Sequence, residues 1–169
     1  ELGWSNPPEV DDPDSYKKAS LYMAYMMSIP GIPTIYYGDE IGMTGAADPD
    51  NRRMMRFGNE LSPEEKNMKK MVSRIVKLRT DHSALCYGDF LTLLADKDCF
   101  AFMRSDLNER ILVVLNKNKS SRERELEIPG LYNVNTAEDL ISGEKIDIVN
   151  DKLKVSLKGF GFKVIKLKE

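Results

Sequence analysis

The chain has 169 residues, of which 41% are hydrophobic and 31% charged, a composition that supports a folded core and excludes a wholly disordered chain. Lys and Arg total 25 against 27 Asp and Glu, so the formal net charge is only -2. Nucleic-acid-binding domains usually carry a clear positive excess, so we expect no nucleic-acid partner. No apolar run approaches the roughly 20 residues that span a bilayer, so we also expect no membrane span.

Few residues are available for thiol, histidine or metal chemistry. The cysteines are Cys86 and Cys99, and His82 is the single histidine. Two cysteines can form one disulfide but fit a reduced interior equally well, and the spacing of the three residues matches no common zinc pattern. We therefore expect no metal site and no cofactor in this chain. Because the first residue is Glu1 rather than Met, we also expect a fragment of a longer protein.

The first predicted elements are a proline-rich loop and a helix. The loop covers residues 1–14, and either Asp14 or Ser15 can cap a helix that continues to about Ser28. Residues 21–27 form an almost unbroken apolar run rich in methionine, whereas a helix with one solvent-exposed face would alternate more. This helix therefore needs cover on most of its sides.

A Pro-Gly turn at residues 30–31 ends the helix and leads into a predicted strand at residues 32–37. The β-branched and aromatic residues of this run are typical of a buried strand in a parallel sheet. A long loop over residues 38–61 follows. A Ser-Pro pair at residues 62–63 then starts a second helix that continues to about residue 80. Helix, tight turn and strand are half of a βαβ crossover.

From about residue 83 the pattern changes to short apolar or alternating runs separated by turn residues. The runs predict eight strands, near residues 90–94, 99–104, 111–116, 124–128, 133–139, 146–149, 152–157 and 162–167. Many short strands at nearly regular spacing are typical of an antiparallel β-sandwich. We therefore expect an α/β part, residues 1–82, and an all-β part, residues 83–169.

The most specific motif is G-x-P-x-x-Y-Y-G-x-E at residues 31–40. It resembles the eighth barrel strand and the following turn of the α-amylase superfamily of retaining glycoside hydrolases. The run DPDNRR at residues 48–53 is similar to the β8–α8 loop of the neopullulanase, cyclomaltodextrinase and oligo-1,6-glucosidase-like members. Residues 74–88 resemble the last barrel helix and the step into a C-terminal β-domain. The resemblance implies the last segment of a (β/α)8 barrel (seventh helix, eighth strand, eighth helix), followed by a β-sandwich.

The resemblance also implies a function, cleavage of α-glucans such as starch, maltooligosaccharides, pullulan or cyclodextrins. The family works by double displacement, with three carboxylates at the ends of the fourth, fifth and seventh barrel strands. The third belongs to an Asn-His-Asp type motif, which this sequence lacks. We therefore expect all three catalytic carboxylates to lie upstream, assign no catalytic residue here, and expect the chain alone to be inactive. Calcium is possible in the full-length parent.

Asp48 and Arg52 are the best candidates for substrate binding, because the resemblance places this pair at the active-site rim, in contact with glucose units at a minus subsite. A carboxylate accepts hydrogen bonds from sugar hydroxyls and a guanidinium donates several. The alternative is a salt bridge that only braces the loop. Tyr37 is the third candidate, as a stacking partner for a sugar. For a buried strand we favour the alternative that it fills the barrel interior. Trp4 is as easily an incidental loop residue as a sugar platform.

Other acidic residues have simpler explanations than catalysis or metal binding. Asp39 and Glu40 are adjacent and should point to opposite faces, so they are not expected to act as a catalytic pair, and Glu40 is expected to be a structural hydrogen-bond acceptor. Asp48, Asp50 and Asn51 only vaguely resemble a calcium loop, because the turn glycine and distal glutamate of an EF-hand are missing.

A second functional class is a non-catalytic carbohydrate-binding or scaffolding module from an amylase-like protein. The upstream sequence would separate the two, because an enzyme needs its catalytic carboxylates there. Two helices and one parallel strand cannot close a barrel, which leaves the strand unpaired and the Met-rich helix uncovered. We therefore expect the α/β part to be poorly ordered, or buried in a homodimer or swapped assembly, whereas the all-β part can fold alone.

Overall fold

The computed structural model describes residues 10, 12, 14–45 and 47–168, so the predicted loop up to residue 9 and the candidate Trp4 lie outside the described residues. In this described part of the chain, three helices precede eight strands. The helices are α1 (Ser15–Ser28), α2 (Pro63–Asp81) and α3 (Ser83–Tyr87). The strands are β1 (Asp89–Ala95), β2 (Cys99–Ser105), β3 (Arg110–Asn116), β4 (Arg122–Glu127), β5 (Thr136–Asp139), β6 (Lys145–Val149), β7 (Lys152–Leu157) and β8 (Phe162–Lys168). None of the described helices is long and apolar enough to cross a membrane.

The two long helices confirm their predictions. At the start of α2, the Ser62 hydroxyl accepts a hydrogen bond from the Glu65 N–H at 3.2 Å, and the Glu65 carboxylate accepts one from the Ser62 N–H at 2.8 Å. Pro63 occupies the first helical position, where a missing N–H costs nothing. This reciprocal cap is the reason that the boundary could be read from the sequence.

All eight predicted strands are present, and they form one antiparallel sheet in the order β1-β2-β3-β8-β5-β6-β7-β4. The expected β-sandwich is therefore corrected to a single, nearly closed sheet. Two ion pairs join its two ends, because the Nε atom of Arg122 donates to Asp98 at 2.9 Å and that of Arg124 to Asp96 at 3.1 Å. These contacts bring β4 back against the β1–β2 turn.

Side chains on opposite faces of β2, β3 and β8 enter two different cores. The inner core lies within the curved sheet and contains Met103 and Leu112, and the outer core lies between the sheet and the helices and contains Phe102 and Val113. The alternation follows from the period of two along a strand. The three central strands are consequently buried on both faces.

The Met-rich helix α1 lies on the outer core, where Met23 is 3% and Met27 is 5% exposed. The expectation that this helix lacks cover is wrong for that side, because α2, α3 and the sheet supply the cover within the chain. Tyr22 and Tyr25, on the other side, are 65% and 37% exposed. The helices and the sheet thus share the outer core. The domain boundary near residue 82 stays a prediction.

The predicted buried strand at residues 32–37 is wrong for the chain as folded. The segment forms no strand, no described strand pairs with it, and Ile32 is 95% exposed. A parallel strand takes its hydrogen bonds from neighbouring strands, and none lies beside this segment in the described part of the chain. The loop after it contains three short 3-10 turns, at Asp39–Ile41, Asp50–Arg52 and Gly58–Glu60. The closed barrel itself stays a prediction.

The junction between α2 and the sheet depends on Glu109, which is 8% exposed. Its carboxylate lies 2.8 Å from Nδ1 of His82 and accepts hydrogen bonds from Nζ of Lys166 at 2.9 Å and the Ala84 N–H at 3.3 Å. Burial alone would raise the pKa of Glu109, but the bonds from Lys166, His82 and Ala84 outweigh it and hold the pKa below its ordinary value of 4.5.

The change Glu109→Gln should lower the free energy of unfolding by about 2 kcal/mol at neutral pH, because it removes the charge that these donors share. Since the folded-state pKa is depressed, the wild-type advantage is present above about pH 4.5 and is lost as the pH falls through the folded-state pKa. Urea denaturation at neutral and acidic pH measures it. The exposed Glu123→Gln is the control. An advantage of equal size at both pH values would contradict this role.

Candidate functional site

Tyr37 is the last residue of the segment at residues 32–37, where the chain enters a tight turn. The Asp39 carboxylate accepts a hydrogen bond from the Tyr36 N–H at 3.1 Å, and the Glu40 carboxylate accepts one from the Gly38 N–H at 2.8 Å. Both carboxylates therefore serve as acceptors that build the turn, which is the structural role expected for Glu40. Their hydrogen bonds fix the position from which Tyr37 projects.

The rings of Tyr36 and Tyr37 lie together, with centroids 4.6 Å apart at an interplanar angle of 45°. Tyr36 is 52% and Tyr37 is 39% exposed, so neither ring fills a core of this chain. A hydrogen bond between the two hydroxyls raises the pKa of Tyr37, and the positive charge of Arg52 opposes that rise. The effect of Arg52 means that the predicted site residues Tyr37 and Arg52 lie within electrostatic range of each other.

Asp48 and Arg52 form an exposed ion pair across the 3-10 turn of the loop. Oδ1 of Asp48 accepts a hydrogen bond from Nε of Arg52 at 2.7 Å and a second from Nη2. The two side chains are 62% and 60% exposed. An ion pair so open to water stabilises a fold little, and its polar atoms stay accessible to a ligand.

A second Asp–Arg pair in the same loop, Asp50 with Arg53, was missed from the sequence. Its side chains are only 6% and 9% exposed. Nearby, Nη1 of Arg56 donates to the Glu65 carboxylate at 3.1 Å and ties the loop to the start of α2. The sequence signal for the buried pair was the spacing of three between residues 50 and 53, but two Asp and two Arg within six residues allow more than one pairing. Because the exposed pair is open to water, we expect the buried pair to contribute more to the stability of the loop.

The described structure does not build the metal sites considered from the sequence. The carboxylates of Asp48 and Asp50 face arginines, and nowhere in residues 14–45 or 47–168 do three or more His, Cys, Asp or Glu side chains gather in a metal-binding arrangement. Cys86 and Cys99 are free thiols, and His82 pairs with Glu109 instead of either cysteine. Calcium in a longer parent stays a prediction.

Two family models match the chain. The α-amylase catalytic domain matches residues 10–88, and the maltogenic amylase C-terminal domain matches residues 90–164. Cyclomaltodextrinase of Geobacillus thermopakistaniensis (strain MAS1) is 33% identical over 150 residues, which are 86% of this chain and 24% of that protein. Neopullulanase 2 of Thermoactinomyces vulgaris is 32% identical over 145 residues, again 85% of this chain and 24% of that protein.

Solved structures agree with these matches. The α-amylase of Geobacillus thermoleovorans, solved in complex with acarbose, superimposes with a TM-score of 0.81 at 28% identity, covering 92% of this chain and 34% of that one. The superposition and the two family matches together define the class of protein. The chain belongs to the α-amylase family of glycoside hydrolases. It spans about a quarter of the length of the two curated relatives.

Substitution of Asp50 and of Asp48, one at a time, should show how much each ion pair contributes to the stability of the loop. Asp50→Asn should lower the free energy of unfolding by about 3 kcal/mol, because Arg53 is left buried opposite a neutral group. Asp48→Asn should change it by less than about 0.5 kcal/mol, because both partners are exposed. Urea denaturation of the two variants beside the wild type measures both effects. Equal losses would mean that the exposed pair also braces the loop.

Proposed function

We propose that this chain forms the C-terminal part of a retaining glycoside hydrolase that cleaves α-glucans. The observation that carries the proposal is the exposed Asp48–Arg52 pair, in a chain of the α-amylase family. The pair is too exposed to be needed for folding, and it lies in the loop after the segment that resembles the eighth barrel strand. Relatives named cyclomaltodextrinase and neopullulanase support α-glucans as the substrate class.

Each of the three residues offers chemistry that suits a glucose unit. The Asp48 carboxylate accepts hydrogen bonds from sugar hydroxyls, and the Arg52 guanidinium donates them. The ring of Tyr37 offers an apolar face to the apolar face of a pyranose. The bond between Asp48 and Arg52 restrains both side chains before a ligand arrives, so less conformational entropy is lost on binding.

The bond-breaking groups are expected in the preceding part of the protein. A retaining hydrolase needs a nucleophile and an acid/base carboxylate about 5–5.5 Å apart, and its reaction passes through a covalent glycosyl-enzyme intermediate. Asp39 and Glu40 already accept hydrogen bonds from the backbone, and we assign neither to catalysis. In this proposal the chain binds a glucose unit at a minus subsite and orients it for the upstream carboxylates.

Hydrolysis of maltooligosaccharides by the complete product of the encoding gene tests the proposal. Asp48→Asn or Arg52→Gln should lower kcat/KM roughly ten- to a hundredfold, the cost of losing a hydrogen bond to a charged group. The matched control is Asp81→Asn, because Lys77 and Asp81 form an exposed pair with the same spacing on α2. The 169-residue chain alone should release no sugar.

Three outcomes decide between the alternatives. Unchanged kcat/KM in both loop variants would remove Asp48 and Arg52 from the substrate site. Binding of maltooligosaccharides without cleavage by the complete protein would support a non-catalytic carbohydrate-binding module instead. Turnover by the 169-residue chain alone would show that the assignment of catalysis to the upstream part is wrong.

A further inference from the structure

The path of the segment that carries Tyr37 is set at its two ends. Residues 32–35 make no described ladder hydrogen bonds, and Ile32 is almost fully exposed. Strand pairing therefore does not fix the direction of this stretch. Ile35 packs against the outer core, and the contacts before Ile32 and after Tyr36 hold the two ends.

The upstream end is held by Arg79, near the end of α2. Its guanidinium donates to three backbone carbonyls, those of Met27 at 2.7 Å, Ile29 at 3.2 Å and Gly31 at 2.6 Å. The last carbonyls of a helix have no partner within that helix, and a guanidinium has five donors in a fixed plane. Arg79 is 8% exposed, so water does not compete strongly for these bonds. One side chain thereby joins the end of α1 to Gly31, the residue directly before the segment.

Gly31 is the residue where this hold acts on the segment. Its φ is +121°, a conformation that side chains with a Cβ rarely adopt, although the space around it is open. The direction in which the chain leaves α1 thus depends on the backbone conformation of Gly31. Arg79 fixes the carbonyl of this residue. A change at either residue should redirect residues 32–37.

The downstream end is held by the same helix. The 3-10 turn Asp39–Ile41 packs against α2, and a Cβ on Gly42 would lie only 2.7 Å from the Sδ atom of Met68. Met68 and Arg79 are eleven residues apart in α2, which corresponds to about 16 Å along a helix. An extended chain of five residues, the separation of Gly31 and Tyr36 in the sequence, would span about the same distance. A single helix can therefore fix both ends of the segment.

We propose that Arg79 is a positioning residue for the sugar contact of Tyr37. Its three carbonyl bonds set the exit of the chain from α1, and the exit sets where the tyrosine pair lies relative to Asp48 and Arg52. The inference rests on the proposed α-glucan site. It means that Arg79, a buried side chain that does not touch the sugar, contributes to the affinity for the sugar.

Kinetics of the complete gene product test the proposal through the split between KM and kcat. In Arg79→Gln, kcat/KM for maltooligosaccharides should fall about tenfold or more, mainly through a higher KM, because misplacement by about 1 Å is costly. Arg79→Lys keeps the positive charge and one donor nitrogen, and it should recover part of the loss. A purely structural role would reduce the folded fraction and the apparent kcat but leave KM unchanged, which would overturn the proposal. Arg74→Gln, an exposed arginine on the same helix, should behave as wild type.

The NMR signals of Tyr37 in the 169-residue chain give a readout that needs no hydrolysis. They should shift in Arg79→Gln, shift less in Arg79→Lys, and stay unchanged in Arg74→Gln. Unchanged Tyr37 signals in Arg79→Gln would overturn the proposal even if the complete enzyme is active. If the complete product cleaves no α-glucan while the Tyr37 signals shift as expected, the proposed function fails and the positioning role stands.

Gly31→Ala is the second variant, for the case that Arg79→Gln does not fold. It keeps every donor of Arg79 and disturbs only the backbone conformation at the carbonyl that Arg79 holds. It should shift the Tyr37 signals and raise KM in the same direction as Arg79→Gln. A folded Gly31→Ala with wild-type KM and wild-type Tyr37 signals would overturn the proposal.

Discussion

The structure depends on two buried guanidinium groups that meet at the last turn of α1. Arg79 comes from α2, and Arg104 comes from β2 and donates to the Ser28 carbonyl at 2.7 Å and the Leu85 carbonyl at 3.0 Å. Burial lowers the pKa of Arg104, and the nearby charge of Arg79 lowers it further. Burying such groups is costly unless their donors are used, and the end of a helix supplies partly negative carbonyls. This one arrangement joins the three helices and the sheet, and it sets the course of the chain towards the site.

The loop of the site uses the same two residue types in opposite ways. Asp50 and Arg53 are buried and brace the loop, whereas Asp48 and Arg52 make the same kind of pair in water. A buried pair is expensive to break, since either partner alone is an unpaired buried charge, while an exposed pair is nearly neutral for folding. Burial therefore divides the loop into a supporting layer and an accessible layer. A site that must exchange its own hydrogen bonds for those of a ligand benefits from this division.

Local signals predicted the elements well, because caps, turns and periodicity act within a few residues. The capping box at Ser62 and the turns between the eight strands are of this kind. The strand order and the curvature of the single sheet depend on pairings between distant residues, which one sequence does not display. The pairing of Asp48 with Arg52 could be anticipated from the sequence, whereas the buried pair of Asp50 with Arg53 was not. Arg79 offered a signal that was not used, a charged residue at helical spacing from the apolar Met68, Val72 and Ile75.

The structure of residues 32–37 differs most from what their composition predicts. Its residues suit a strand covered on both faces, yet Ile32 and Tyr36 are exposed in this chain. In the proposed enzyme, neighbouring barrel strands would supply the missing cover and hydrogen bonds. Such neighbours could pair correctly only with a segment that is already held in the right position. A shift in register by one residue would turn each side chain to the other face of the sheet. The carbonyl bonds of Arg79 would then act before the strand pairs, and they would decide which face Tyr37 presents to the sugar.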